Sequence, residues 1–310
     1  MQTNKALRIH AYGGPEVAQL DEIPVPTPGA GQVLIQVGAA GINGLDWKVR
    51  DGLVREVFPL ELPAVLGIEL AGTVVAVGPG AGRFRVGDRV MGAPGGLGTY
   101  ARFVTIDETK LCLTPASLTD IEAAALPVAT VTAWQALRAA GELRPGQKIL
   151  IHGAAGGVGG FAVQFAKAAG ATVFATASGS SRAHVLALGA DMVIDRQTER
   201  FEDRLAEIDL VLDLVGGETL DRSWSVLSAT GAIVSAAAPD IVQRTPAGRR
   251  GLWFMNRPDA AVLRQIADAV AAGTVRSTIA ETVGFAGLSA AIERNKRGHA
   301  PGKIVLDLAA

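Results

Sequence analysis

The chain has 310 residues, 49% hydrophobic and 19% charged, which is enough apolar material for two domains with their own cores. Its formal net charge of −1, with Lys and Arg scattered along the chain, argues against a dedicated nucleic-acid surface. One cysteine, Cys112, excludes an internal disulfide and a Cys-rich zinc site.

The N-terminal run Met1-Gln2-Thr3-Asn4-Lys5-Ala6 lacks the apolar core of a signal peptide. No apolar stretch reaches the roughly 18–20 residues that a bilayer span requires. A soluble cytoplasmic protein with no membrane partner is expected. Up to about Pro115 the sequence reads as β-rich, with strands expected at Leu7–Tyr12, Gln32–Ala39, Gly72–Val77, Asp88–Met91 and Tyr100–Ile106. Turn sequences such as Gly13-Gly14-Pro15, Pro28-Gly29 and Gly78-Pro79-Gly80 separate them, as in a barrel-like β domain. Cys112, in the alternating run Lys110–Leu113, reads as a small buried apolar residue. At Thr119-Asp120 capping chemistry opens an Ala-rich helical stretch to about Ala140, which Pro127 should break or kink.

From there strands and helices alternate. Strands are expected at Ile149–Ile151, Thr172–Thr176, Met192–Ile194, Leu210–Leu214 and Ala232–Ser235, with helices from Gly159 and over Ser181–Leu188. This alternation implies a parallel, doubly wound sheet, to which Leu252–Met255 adds a last edge strand. Helices follow at Asp259–Ala271 and Leu288–Arg297, and the strand Lys303–Leu306 returns to the β domain.

The stretch that organises the chain is Lys148-Ile149-Leu150-Ile151-His152-Gly153-Ala154-Ala155-Gly156-Gly157-Val158-Gly159-Gly160. Strand, Gly-rich turn and helix in this order form the context of a dinucleotide-binding fingerprint. Without a Cβ, Gly156 lets the backbone approach a pyrophosphate, and Gly159 lets the helix pack against the strand. The helix N-terminus offers free N–H groups to the phosphates. The first glycine of G-x-G-x-x-G is Ala154 here, preceded by Gly153. An NAD site usually carries Asp or Glu about 20 residues past this turn. Here the second strand runs into Ala177-Ser178-Gly179-Ser180-Ser181-Arg182, with no acid. Ser178, Ser181 and the Arg182 fork suit a 2′-phosphate, so NADPH is expected. The competing reading is a capped loop with a solvated Arg182.

Four motifs occur in order: Pro63-Ala64-Val65-Leu66-Gly67-Ile68-Glu69, Val86-Gly87-Asp88-Arg89-Val90, Ala124-Ala125-Leu126-Pro127, and the fingerprint helix. Together with the closing Gly298-His299-Ala300-Pro301-Gly302-Lys303, they resemble the medium-chain dehydrogenase/reductase superfamily, in its zinc-independent quinone oxidoreductase branch. The resemblance implies an α/β fold in which a Rossmann doubly wound parallel sheet, residues 118–252, is inserted in a β-rich GroES-like catalytic domain, residues 1–117 and 253–310. It also implies an active site in the cleft between them, and a homodimer joined through the Rossmann edge strand.

Zinc enzymes of the superfamily hold their metal with Cys, His and Cys. By motif these positions fall on Asn43, Ile68 and near Val128, which lack such side chains. Leu45 stands where zinc enzymes carry the hydroxyl of their proton relay. The resemblance therefore implies hydride transfer without a metal, to a quinone or to the β-carbon of an α,β-unsaturated carbonyl. Charge then builds on the carbonyl oxygen and needs a donor. The Asn43–Lys48 segment is its expected source. Asn43 offers an amide, or simply caps its own turn. Lys48 hydrogen-bonds the nicotinamide ribose or polarises the substrate oxygen, though many relatives carry Tyr there, or it is a solvated charge. Asp46 pairs with Lys48, and Glu69 is structural. Thr132 falls where the family contacts the nicotinamide. Val215, Ser235 and Ala236, at strand ends, line the cleft or form ordinary turns. His10, His184 and His299 read as peripheral, and His152 as a strand-end residue. The alternatives are a pathway-specific enoyl reductase, or a non-catalytic NADPH-binding protein in a crystallin-like or sensor role.

Overall fold

The computed structural model describes residues 3–298 and 301–309; His299 and Ala300 of the closing motif, and Met1 and Gln2, lie outside the described residues. The chain divides into two compact units, 1–128 with 258–310, and 129–257.

In the first unit, β1 (Thr3–Ile9), β2 (Ala18–Pro24), β3 (Gln32–Ile42), β4 (Ala64–Val65), β5 (Leu70–Val77), β6 (Arg89–Gly92), β7 (Phe103–Asp107) and β8 (Leu111–Leu113) are joined by mostly short connections. α1 (Gly44–Arg50) lies between β3 and β4, short 3-10 turns lie at Pro15–Val17 and Glu108–Lys110, and α2 (Asp120–Ala124) follows β8. The long β3 is buried over most of its length: Val33, Ile35 and Val37 alternate into the core, and past a register shift at Val37/Ala39 so do Ala40 and Ile42. Three differences from the sequence expectation have local causes. β1 ends at Ile9, after which residues 10–14 bend into the Gly13-Gly14-Pro15 turn. β2 has no sequence signal because its charged, half-exposed pattern is that of an edge strand, paired among the described residues only to β1. Tyr100–Arg102 precede rather than form β7; Ala101 makes only an isolated bridge to Ala6.

Thr119 caps α2 through Glu122 N, and Pro127 opens α3 (Pro127–Ala136) at its first position, where its missing N–H costs nothing. The second unit holds β9 (Lys148–His152), α4 (Gly157–Ala168), β10 (Thr172–Ala177), α5 (Arg182–Ala187), β11 (Met192–Asp195), β12 (Ile208–Asp213), α6 (Gly217–Ser223), β13 (Leu227–Ser235), α7 (Ile241–Arg244) and β14 (Arg250–Trp253). All six strands pair in parallel, in the order β11-β10-β9-β12-β13-β14. This is the doubly wound arrangement expected, with β14 at its edge.

The chain then re-enters the first unit with α8 (Ala260–Ala271), capped by Asp259, followed by β15 (Ile279–Val283), α9 (Leu288–Arg297) and β16 (Lys303–Asp307). β16 lies antiparallel to β3, with Ile304 opposite Ile42, so the last strand joins the larger sheet, β15-β16-β3-β5-β6-β8.

Candidate active site

In a doubly wound sheet the ligand crevice opens at the carboxyl ends of the strands where their order reverses. Here the reversal falls between β9 and β12. The expected cofactor residues gather at those ends: Gly153, Ala154, Ala155, Gly156, Gly157, Val158 and Gly159 after β9, Ser178, Ser181 and Arg182 after β10, Val215 after β12, and Ser235 and Ala236 at the end of β13. Gly153 has φ +73°, open to glycine. Gly156 caps α4, which begins at Gly157 rather than Gly159, exposing the amides of its first turn. A Cβ on Gly159 would lie 2.2 Å from the carbonyl oxygen of Gly153, so only glycine allows this approach of helix to strand. The turn fits a pyrophosphate.

Two buried groups that sequence reasoning did not assign to the site stand at these strand ends. Asp213 Oδ1 accepts from the N–H groups of Val215 and Gly216 at 3.0 and 2.8 Å, and its Oδ2 accepts from Ser235 Oγ at 2.6 Å. Ser235 Oγ in turn accepts from Ala237 N and Ala238 N, so Ser235 anchors its own turn, and one carboxylate fixes two loops. The available signal is an acid closing the apolar run Leu210–Leu212. His152 ends β9, fully buried, with Nδ1 2.9 Å from Thr176 Oγ1 and Nε2 2.9 Å from Ser223 Oγ. Ser223 Oγ donates to Thr219 O, so it accepts from His152 Nε2. Burial pushes the ring's pKa down to about 4, so near neutral pH the ring is uncharged and Nδ1 accepts from Thr176. Thr132, on α3, is buried and accepts from Asn256 Nδ2 at 2.8 Å.

The turn after β10 differs from its expected form. Ser178 Oγ lies 3.0 Å from both Ser180 Oγ and Ser181 Oγ. β10 carries no acid, but the segment after β11 brings one, Glu199, to this turn. Glu199 Oε2 accepts from Arg182 at 2.5 Å and from Asp195 N at 2.9 Å, and its Oε1 accepts from Arg204 at 2.7 Å. The Asp195 N–H and then the Arg182 guanidinium hold the Glu199 carboxyl below its usual range. Arg182 is therefore neither simply solvated nor uncommitted.

In the first unit, Asn43 begins α1, with its N–H donating to Asp46 Oδ2 at 2.6 Å. Asn43 was expected to offer its amide to a substrate oxygen. Instead its Nδ2 donates to Gly41 O at 3.2 Å and Glu69 Oε1 at 2.8 Å, which uses both hydrogens. The expected Asp46–Lys48 pair is also replaced. Asp46 Oδ2 accepts from Tyr100 Oη at 2.6 Å as well as from Asn43, while its Oδ1 has no hydrogen-bond partner. Burial pushes the Asp46 carboxyl up to about 7, against the pull of the Tyr100 hydroxyl and the Asn43 N–H. Lys48 is half-buried on α1, its Nζ 5.6 Å from the centre of the Trp47 ring. Glu69, fully buried, accepts from Val128 N at 2.6 Å and from Lys303 Nζ at 2.6 Å.

These residues do not fit a catalytic zinc. Asn43 is committed to Glu69, Ile68 has no lone pair, and Val128 presents a backbone N–H to the same carboxylate. Burial pushes the Cys112 thiol up to about 12, so it stays protonated. Among the described residues no group of three or more His, Cys, Asp or Glu is placed to hold a metal.

The profile of the alcohol dehydrogenase GroES-like domain matches residues 29–116, and that of the zinc-binding dehydrogenase matches residues 188–306. Quinone oxidoreductase 1 of Escherichia coli K12 is 35% identical over 263 residues, covering 81% of this chain and 80% of the relative. A 2-haloacrylate reductase of a Burkholderia species is 34% identical over 301 residues, covering 88% and 90% of the two chains. The crystal structure of an Escherichia coli quinone oxidoreductase complexed with NADPH superposes with a TM-score of 0.89 at 28% identity, over 98% of this chain and all of that one. Fold, fingerprint turn and relatives together define an oxidoreductase built for a nicotinamide cofactor and a small-molecule substrate. The chain belongs to the medium-chain dehydrogenase/reductase superfamily, in its quinone oxidoreductase branch.

Proposed function

We propose that the protein is an NADPH-dependent, zinc-independent reductase of quinones or of the activated C=C bond of α,β-unsaturated carbonyls. The observation that carries this reading is the chemistry at positions 43, 68 and 128, where an amide bound to Glu69, an isoleucine and a valine stand in place of metal ligands. The acid-free end of β10, with Ser178, Ser181 and Arg182, favours the 2′-phosphate of NADPH over the bare ribose of NADH. The relative named for 2-haloacrylate supports reduction of activated C=C bonds.

Residues 153–159 hold the pyrophosphate, Ser178, Ser181 and Arg182 the adenosine end, and Thr132 the nicotinamide end. When bound, the reduced nicotinamide supplies the hydride. Hydride arriving at the β-carbon, or at a quinone ring, drives negative charge onto the acceptor's carbonyl oxygen. With the Asn43 amide engaged at Glu69, the cation of Lys48 is the side chain of this segment that stabilises that charge. Asp46, buried and bonded to Tyr100, acts as a support of α1 and not as a proton donor to substrate. The protein works as a homodimer, joined through β14.

Oxidation of NADPH, followed by absorbance against a panel of quinones, enones and enals, tests the reading. Turnover of at least one class in the presence of a chelator is expected. NADPH binding without turnover of any acceptor would favour the non-catalytic alternative.

A further inference from the structure

The ion pair Glu69–Lys303 is buried in the first unit at 0% and 5% exposure. Taking two such charges out of water costs several kcal/mol each, and apolar replacements are often as stable. Its geometry points to a role in position rather than stability. Lys303 Nζ has three hydrogens and three oxygen acceptors: Glu69 Oε1 at 2.6 Å, Asn43 Oδ1 at 2.7 Å and Ile42 O at 3.0 Å. Asn43 Nδ2 closes the ring by donating to Glu69 Oε1 at 2.8 Å. Glu69 Oε2 takes the N–H of Val128 at 2.6 Å. The carboxylate reaches this place because residue 41 is glycine; a Cβ there would lie 2.2 Å from Glu69 Oε1. Two of the three positions at which zinc relatives hold their metal, 43 and 128, thus converge on Glu69.

We propose that Lys303 is a positioning residue whose ammonium, a cation tethered to the last strand, organises the start of α1 in the way a bound metal would. This rests on the zinc-free reading above. The side chain of Asn43 is clamped on one side by the ammonium and on the other by Glu69. Asn43 sets the first turn of α1, the helix that carries Lys48. The oxygens a divalent ion would need are already spent on a cation that cannot dissociate, so the cage is closed to metal by the chain itself.

The test compares wild type, Lys303→Met, and Lys303→Met/Glu69→Leu by melting temperature, by hydrogen exchange of amides 42–48, and by steady-state kinetics with NADPH and the best acceptor. Lys303→Met leaves a buried carboxylate unpaired and is expected to melt lower. The double variant removes both charges and is expected to recover most of the melting temperature. It should nevertheless show kcat lower by ~10- to 100-fold, an unchanged KM for NADPH, and faster exchange across 42–48. A double variant with wild-type kcat and wild-type exchange would overturn the proposal. Should the double variant fail to fold, Lys303→Gln, which keeps donors but not charge, is expected to lose kcat and exchange protection likewise; unchanged values for both overturn it. Wild type that turns over no acceptor would sink the functional reading alone, since exchange across 42–48 still tests the clamp.

Discussion

The guanidinium of Arg182 lies 2.5 Å from the carboxylate of Glu199, so the side chain proposed to read a 2′-phosphate already has an anionic partner. The pair is partly exposed, at 45% and 25%, and such pairs are worth only ~0–1 kcal/mol. A dianionic phosphate can therefore draw Arg182 away. Arg182→Ala is expected to weaken NADPH by roughly ten- to a hundred-fold, the worth of one charge-assisted contact. NADH should barely change. Titration of both cofactors by tryptophan fluorescence reads the two affinities; equal losses would mean that Arg182 serves the fold.

Glu199 has the opposite effect. It holds Arg182 and Arg204 together and adds a negative charge beside the proposed phosphate site. Glu199→Gln should tighten NADPH by up to ~5-fold, the most that relief of an exposed pair provides, and leave NADH unchanged. Weaker NADPH binding in this variant would mean that Glu199 orients Arg182 instead of competing for it.

The parallel sheet is legible because most of its strands are short apolar runs followed by a turn and a helix, and the returning strand because Ile304-Val305-Leu306 is a short apolar run after a Gly turn. β2 escaped because an edge strand is paired on one side only and keeps charged residues such as Asp21 and Glu22. In the candidate site, the Gly-rich turn announced itself by spacing. The partners of Asn43, Asp46 and Arg182 did not, because each comes from far along the chain or from another element: Lys303 and Glu69, Tyr100, and Glu199. A side chain's chemistry is set by those neighbours, so Asn43 looked like a free donor while its amide is engaged.

Metal independence gives a direct measurement. Activity is expected to survive exhaustive chelation, and elemental analysis to find no stoichiometric zinc, because positions 43, 68 and 128 offer no ligand set. Activity lost on chelation and restored by zinc would contradict the assignment.

The edge strand β14 bears on association. Among the described residues it pairs only with β13, and Trp253 and the following Met255 are 37% and 57% exposed. An apolar edge left open invites pairing with another chain. We expect a two-fold dimer through this strand, and Trp253→Lys should shift it toward monomer in light scattering at micromolar concentration. A wild-type monomer under those conditions would rule the dimer out.

Acid should loosen the nucleotide-binding unit through His152. Its ring is buried and neutral between Thr176 and Ser223, with a pKa pushed from 6.5 down to about 4. Between these values the unfolded chain binds the proton that the folded chain refuses. Stability from this group is therefore complete above pH 6.5 and is lost as pH falls toward 4. From about pH 7.5 to about pH 5 the loss amounts to about 2 kcal/mol. His152→Gln keeps hydrogen-bonding capacity but cannot titrate in this range. The variant should be less stable than wild type at neutral pH, because the glutamine fits the site less well. Its melting temperature should also fall less on acidification. Melting curves of both proteins at the two pH values give the comparison, and the difference between the two pH responses isolates His152 from the other titrating groups. Parallel declines in the two proteins would mean that His152 takes up its proton in the folded state as readily as in the unfolded one, against its burial between two hydroxyls.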